Sequence, residues 1–408
     1  GERLRGFLSA MTSNPFKGVM TGLGITSIIQ SSSATTVMVV SFVNAGLLTL
    51  TQAIGVIMGA NIGTTVTAWM VSWLGFTADI SILAVPLMLF GFLFSNSKKD
   101  NRKNIGELIV GFALLFLGLS FMKESVPDLK ETPQVLEFVR QWSGYGFWSV
   151  LIFLGFGTIL TLILQSSSAT MAITLIMLSM GWIPFPMGCA MVLGENIGTT
   201  ITANIAAAVA NTSAKRAARA HTIFNIVGVI WVLAVFRPIV KLICLIMVNL
   251  GFQDPMAASS QLAYIANNGI TADPSEIEMY KNSLLYGIAM LHTLFNITNT
   301  CVLIWFTPLI EKAVVWLVKE PKGEAEVFRL KYISGGPLST AELSISEAQQ
   351  EIVHFAEICS NGFGYIRQAI NETDPEAFDK LNDKLIKYEE ITDRIEYEIA
   401  TYLNDVSK

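Results

Sequence analysis

The chain has 408 residues, of which 52% are apolar and 14% charged, with a formal net charge of −5 and a mean hydropathy of +0.53. That length would hold two or three soluble domains, but the composition excludes such a protein. The net charge says little because much of the acidity sits in the tail, and no nucleic-acid partner is expected. From Gly18 to Ala78, and again from Gln141 to Gly194, there is no Asp, Glu, Lys, Arg or His. About 20 apolar residues cross a bilayer as a helix, so these stretches read as intramembrane and the chain as an all-α polytopic membrane protein.

In chain order, residues 1–13 form a basic, amphipathic interfacial helix. Asn14 to Leu48 is apolar but interrupted by Gln30-Ser31-Ser32-Ser33, and each half, at roughly 15 residues, is short for a span. A polar interruption in hydrocarbon is tolerated only where protein or a wet cavity surrounds it. The expectation is a re-entrant helical hairpin with serines at its tip. Gln52 to Gly75 reads as a span broken at Gly59 and Gly63, and Ile80 to Phe94 and Ile105 to Met122 as two more. The basic loop Lys98 to Lys103 falls in the cytoplasm by the positive-inside rule. Residues 14–122 thus make a first membrane repeat, followed by an external linker, 123–146.

The second repeat opens 135 residues on, where Gln165-Ser166-Ser167-Ser168 returns. At the same offset Gly59-Ala60-Asn61-Ile62-Gly63-Thr64-Thr65 returns as Gly194-Glu195-Asn196-Ile197-Gly198-Thr199-Thr200. Two segments returning at one spacing mark an internal duplication. A second hairpin is expected over Phe147 to Ile183 and a second broken span over Pro186 to Ala210. Lys215-Arg216-Ala217-Ala218-Arg219 is again cytoplasmic, so the broken spans run in opposite senses and the copies form an inverted repeat. A further pair, His221-Thr222-Ile223-Phe224-Asn225 and His292-Thr293-Leu294-Phe295-Asn296, lies on helices placed at Arg219 to Leu250, bent at Pro238, and Leu284 to Leu317. The two histidines suit helix capping or packing better than proton relay. Gly251 to Asn282 reads as polar and external, and 147–320 as the second repeat with its following spans.

Beyond Lys322 the composition turns soluble. Gly335-Gly336-Pro337 breaks the chain, and two amphipathic helices follow at about Glu342 to Asn371 and Pro375 to Asn404, with a stop and restart between them. Residues 321–408 are therefore expected to be a small cytoplasmic helical domain. The four cysteines stand far apart and read as small core residues.

A hairpin tip places a helix N-terminus inside the membrane, where free N–H groups and a dipole of about +0.5 charge favour an anion. Hydroxyls add donors without a buried Lys or Arg. Two tips facing each other supply roughly +1 in all, so an anion such as phosphate stays under-neutralised and bound cations would complete the balance. Oxygen ligands for a hard cation come from Gln30, Asn61, Thr64, Thr65, Gln165, Asn196, Thr199 and Thr200, with unwound carbonyls beside Gly59, Gly63, Gly194 and Gly198. Glu195 breaks the symmetry, because its counterpart is Ala60. An intramembrane carboxylate is costly and is expected to meet a cation or a proton. Serine and threonine in membrane helices also bond the preceding turn or tie helices together, but two matched copies in charge-free surroundings favour binding.

The paired Gln-Ser-Ser-Ser and Asn-Ile-Gly-Thr-Thr segments resemble the type II sodium/phosphate cotransporter family over residues 14 to 318. The resemblance implies sodium-coupled transport of inorganic phosphate, with Ser31, Ser32, Ser33, Ser166, Ser167 and Ser168 as contacts and sodium as co-transported ion. It also implies a multi-pass place in a bacterial inner membrane and allows a homo-oligomer. A helix before residue 1 is expected from the family. The tail resembles a partial PhoU-like domain, in which Glu389 and Asp393 match a metal-associated Glu-x-x-x-Asp element. Two alternatives stand beside this: a sodium-coupled carrier of another small anion, and a phosphate-sensing membrane scaffold. An enzyme is not expected, since the membrane part holds no nucleophile–base or carboxylate pair.

Overall fold

A computed structural model describes residues 2–77, 81–124, 141–268, 270, 272–320, 330, 332–333 and 341–406. Among them every regular element is helical. Five helical stretches are long and apolar enough to cross a membrane: Leu50–Leu74, Asp100–Met122, Phe147–Leu164, Thr212–Ala234 and Pro274–Leu317. Their outward faces are apolar, with Leu108, Trp148, Ile163 and Trp305 all exposed, as lipid-facing residues are in a membrane protein.

The chain divides into two compact units, each built from separated segments. The first holds Gly1–Ala60, Thr202–Phe224 and Val302–Lys408. Asn14 starts its first serine-bearing helix, Oδ1 accepting from Lys17 N–H at 2.8 Å, and Pro15 follows where a missing N–H costs nothing. Helices Pro15–Ile29 and Ser32–Asn44 form a pair. Val39, Val40 and Val43 bury against Ala53, Val56 and Ile57 and a series of alanines from Ala203 to Ala218, whose small side chains let helices approach closely. The expected break at Gly59 and Gly63 is absent: Leu50–Met70 is one continuous α-helix, extended by a π-helical stretch, Val71–Thr77. Glycine weakens a helix by about 1 kcal/mol relative to alanine, and here close packing rather than unwinding explains its presence, as shown below.

The tail belongs to the first unit. Helices Ala341–Ile370 and Pro375–Val406 pack through Ile358, Tyr388, Ile391, Ile395 and Ile399. The membrane helix end and the tail meet at Asn44, which donates through Nδ2 to Tyr332 O at 2.9 Å. Asn44 Oδ1 accepts from Asn211 N–H at 2.8 Å, and its backbone carbonyl accepts from Asn211 Nδ2 at 2.9 Å. Glu351 accepts from Tyr332 and Ile333 N–H, and Glu347 accepts from Tyr402 Oη at 2.9 Å. Burial pushes the Glu347 carboxyl up to about 7, while bonds from Tyr402 and Asn44 pull it down. Glu389 and Asp393 are exposed, and among the described residues no three His, Cys, Asp or Glu side chains gather where they could hold a metal ion.

The second unit holds Asn61–Ile201 and Asn225–Cys301. Its core joins Phe116, Val150 and Phe153 to Leu175, Phe185, Met191, Leu193, Ile288 and Phe295. The second serine-bearing pair, Phe147–Leu164 and Ser167–Ser179, lies here. Its first arm has 18 residues against 15 in the first copy, about 27 Å of helix, close to a bilayer core. Over the second expected broken span, Phe185–Gly198 and Thr200–Ala206 are separated by Thr199 alone. Thr199 keeps helical dihedrals (φ −63°, ψ −19°) and donates its N–H to Glu195 O at 3.0 Å, so the chain there is not unwound. The bend expected at Pro238 falls instead at Val235, between Thr212–Ala234 and Phe236–Asn249. Pro238 then sits in the first turn of the new helix, where its missing N–H is not needed. Helix Pro255–Asn268 and the first turns of Pro274–Leu303 occupy the segment that reads in sequence as polar and external. Of the cysteines, Cys189 and Cys244 are buried, but Cys301 is exposed and Cys359 half-buried.

Candidate functional site

Each Gln-Ser-Ser-Ser segment makes the same turn. Gln30 (φ 59°, ψ 25°) and Gln165 (φ 52°, ψ 27°) are the non-glycine residues with positive φ among those described. The left-handed conformation costs an L-residue roughly 1–2 kcal/mol, and backbone strain of this kind collects at functional sites. Each glutamine ends the first arm, its N–H donating to Thr26 O at 2.7 Å or Thr161 O at 2.8 Å. Ser31 and Ser166 then turn to extended backbone and cap the second arm, with Oγ accepting from Ala34 N–H and Ala169 N–H at 3.2 Å each. These two hydroxyls are thus engaged as caps. The N–H groups of Ser32 and Ser33, and of Ser167 and Ser168, are helix-start donors that the helix itself cannot satisfy. Ser32 and Ser167 are buried, and the other four serines half-buried.

Threonines lock each turn. Thr26 Oγ1 donates to Thr35 Oγ1 at 3.0 Å, and Thr161 Oγ1 to Thr170 Oγ1 at 3.0 Å. Thr35 and Thr170 also bond the carbonyls of Ser31 and Ser166. All four threonines are fully buried. Sequence reading passed over this pairing, although Thr26 and Thr161 stand at the repeat offset and that identity would have found them.

The glycines serve helix crossing. A Cβ on Gly22 would overlap Val56 O, and one on Gly59 would overlap Val19 O. In the second unit a Cβ on Gly157 would overlap Met191 O, and one on Gly194 would overlap Leu154 O. The four are related by the offset of the motifs, so the duplication preserves a backbone-to-backbone crossing. Carbonyls beside Gly59 and Gly63 are therefore helix-bonded rather than unwound. At Gly198 and Thr199 the helix likewise does not unwind, since Thr199 N–H still donates to Glu195 O at 3.0 Å.

The expected cation ligands share a pattern. Thr65 Oγ1 donates to Ile62 O at 2.8 Å and Thr200 Oγ1 to Ile197 O at 2.9 Å. Asn196 Nδ2 donates to Val192 O at 2.8 Å. Side chains whose protons are committed to the backbone turn acceptor oxygens outward, the polarity a hard cation needs. Asn61, Thr199 and Glu195 are buried, Thr64 and Gln30 half-buried, and Gln165 exposed. Glu195 is 1% exposed, and its Oε2 has no hydrogen-bond partner. The second copy also has Thr158, which donates to Gly194 O at 3.0 Å, where the first has Leu23. His221 and His292 are buried with neither ring nitrogen hydrogen-bonded.

Residues 1–124 and 146–253 match the family described as Na+/Pi-cotransporter. A Salmonella typhimurium protein provisionally named inorganic phosphate export protein YjbB is 24% identical over 358 residues, which cover 88% of this chain and 58% of that protein. The Bacillus subtilis protein YqeW, named as uncharacterized, is 34% identical over 229 residues, 55% of this chain and 71% of its own length. Sheep (Ovis aries) sodium-dependent phosphate transport protein 2A is 51% identical over 59 residues, 14% of this chain and 9% of that one. The chain thus spans less than two thirds of the Salmonella relative. No solved structure matches.

Proposed function

The chain belongs to the Na+/Pi-cotransporter family, and from that premise we propose that it carries inorganic phosphate across the membrane with sodium by alternating access. The observation that supports this reading is the duplicated tip. Two buried helix starts present N–H groups and serine hydroxyls to an anion, and no Lys or Arg stands within either charge-free stretch around them. Such donors favour an anion but cannot neutralise a divalent one, so co-bound sodium supplies the missing charge and couples the two fluxes.

In this mechanism Ser32, Ser33, Ser167 and Ser168 donate to phosphate. Ser31 and Ser166 hold the helix starts in place and offer their remaining hydroxyl capacity. Sodium takes oxygens from Gln30, Asn61, Thr64, Thr65, Gln165, Asn196, Thr199 and Thr200, with the Glu195 carboxylate making the second-copy site the stronger. The two helix pairs act as re-entrant hairpins of an inverted repeat. The basic loops and the helical tail lie on the cytoplasmic side of a bacterial inner membrane, and the tail tunes transport. The family and the Salmonella and sheep relatives carry names of transport, not of catalysis.

Uptake of labelled phosphate into proteoliposomes tests the whole reading. Accumulation driven by an inward sodium gradient, competed by arsenate and poorly by sulfate, is the expected outcome. Sulfate has no proton to donate at neutral pH, whereas phosphate does. Equal phosphate flux in choline and sodium buffers would remove the coupling. Sodium-dependent binding without flux would favour the sensing scaffold, and preference for a carboxylate would favour another carrier.

A further inference from the structure

Helix Phe236–Asn249 follows the span Thr212–Ala234 and is strongly two-faced. Phe236, Val240, Ile243, Cys244 and Met247 are buried, while Arg237, Lys241, Leu242, Leu245 and Val248 face outward. Leucines and cations on one exposed face are the pattern of a helix lying in the headgroup region. The preceding span is 23 residues long, about 34 Å, and carries Lys215, Arg216 and Arg219 in its first turns. Arg237 and Lys241 therefore lie at the opposite membrane surface, where the positive-inside rule leaves basic residues unexplained. They are one helical turn apart, so their charges repel unless an anion bridges them. Neither has an ion-pair partner among the described residues.

Both line a cavity of about 300 Å³ inside the second unit, at the lower end of ligand-sized cavities, roughly 300–1,000 Å³. Its other walls are apolar, with Phe147 and Val150 from the first arm of the serine pair, Met187 from the Glu195 helix, and Met256. No carboxylate lines it. The nearest in sequence, Asp254, caps its own helix by accepting from Met256 N–H at 2.8 Å. Gly146, also on the wall, precedes helix Phe147–Leu164 without any side-chain cap, which adds a helix-start dipole of the same sign. Trp142, Tyr145 and Trp148, flanking Gly146 in the chain, are exposed. Aromatic residues with a polar edge mark the headgroup level.

We propose that this cavity binds an anionic phospholipid. The phosphate bridges Arg237 and Lys241, and an acyl chain lies along Phe147, Val150 and Met256. Apolar walls beneath paired cations fit a lipid, whereas a free anion would leave the walls uncovered. The occupied site braces the entry of the second serine pair and the start of the Glu195 helix. The binding claim stands whether or not the chain transports phosphate.

Native mass spectrometry of the full chain, exchanged between phosphatidylglycerol and phosphatidylcholine and then delipidated, reads the site directly. The wild type is expected to retain phosphatidylglycerol selectively. Arg237→Gln with Lys241→Gln should weaken retention about 30-fold, the factor given by two basic contacts at an anionic surface. Met256→Trp, which fills the cavity and keeps both charges, should also expel the lipid. Equal retention of phosphatidylcholine, or unchanged retention in the double variant, overturns the proposal. Thermal stabilisation by inorganic phosphate matching that by phosphatidylglycerol, and lost in the double variant, would assign the cations to a free anion instead.

Discussion

The two serine-bearing helix pairs share a backbone and differ in what surrounds it. Both have a left-handed glutamine, a serine cap, a buried Thr–Thr bond and a glycine crossing at one offset. Around that common frame the first copy has Ala60 and an unbroken helix. The second has Glu195, Thr158 and a helix with a single-residue irregularity at Thr199. Duplication has conserved the geometry that aims helix-start donors and let the charged chemistry diverge. The shared part is expected to hold an anion, and the divergent part to set the strength of cation binding.

The largest effect is expected where the copies agree on backbone contact. Gly59→Leu and Gly194→Leu each force a side chain into a facing carbonyl, and overpacking of this kind costs about 1–3 kcal/mol or more. Both variants should lose yield and melt at markedly lower temperature. A wild-type melting temperature in either would mean that the crossing in that copy is loose.

Next come the buried serines. Ser32→Ala and Ser167→Ala each remove a donor near a charged ligand, worth roughly 1.5–3 kcal/mol, so phosphate affinity should fall to a similar degree in both. Ser31→Ala and Ser166→Ala remove a cap and should cost about 1 kcal/mol of stability. Unchanged affinity in well-folded Ser32 and Ser167 variants would show that these hydroxyls only tie helices together.

The asymmetry is tested by exchanging charge. Glu195→Gln keeps shape and should weaken sodium dependence or alter the charge moved per cycle, which the membrane potential registers at about 2.3 kcal/mol per charge per 100 mV. If sodium affinity and voltage dependence both survive, Glu195 belongs to packing, and the two copies are chemically equal after all.

A smaller effect is expected at the tail, which bonds the end of the first pair through Asn44. Glu347 has its carboxyl raised from the usual 4.5 to about 7 by burial. A carboxyl raised in the docked form favours docking when protonated. The contact is therefore strongest below about pH 4.5 and weakens as pH rises through about 7. Hydrogen-exchange protection in Ala341–Ile370, taken relative to the intrinsic amide rate at each pH, should be greater at pH 5 than at pH 8, and Glu347→Gln should remove that difference. Equal protection at both values in the wild type would show that Glu347 does not govern docking.

Helical class, membrane location and the duplicated motifs were legible from residue order. A charge-free run of apolar residues has few stable alternatives in a bilayer, and identical segments at one offset need no coordinates to be seen. The tail helices were found to within a few residues, because Asn371 to Pro375 stops and restarts a helix by local chemistry.

Local rules misled where packing decides. Gly59 and Gly63 read as breakers, yet their helix continues, and at Gly59 an apposed backbone covers the glycine face. Pro238 read as the bend, yet a proline in a first turn bends nothing. Which serine hydroxyls are engaged as caps was equally hidden, since it depends on Gln30 and Gln165 adopting a conformation no glutamine prefers. The grip of Asn44 on Asn211 and Tyr332 joins residues 167 and 288 positions apart. Sequence order thus specified which groups are present and how often, while their pairing required close packing, because a buried hydrogen bond is fixed by distance in space and not by separation along the chain.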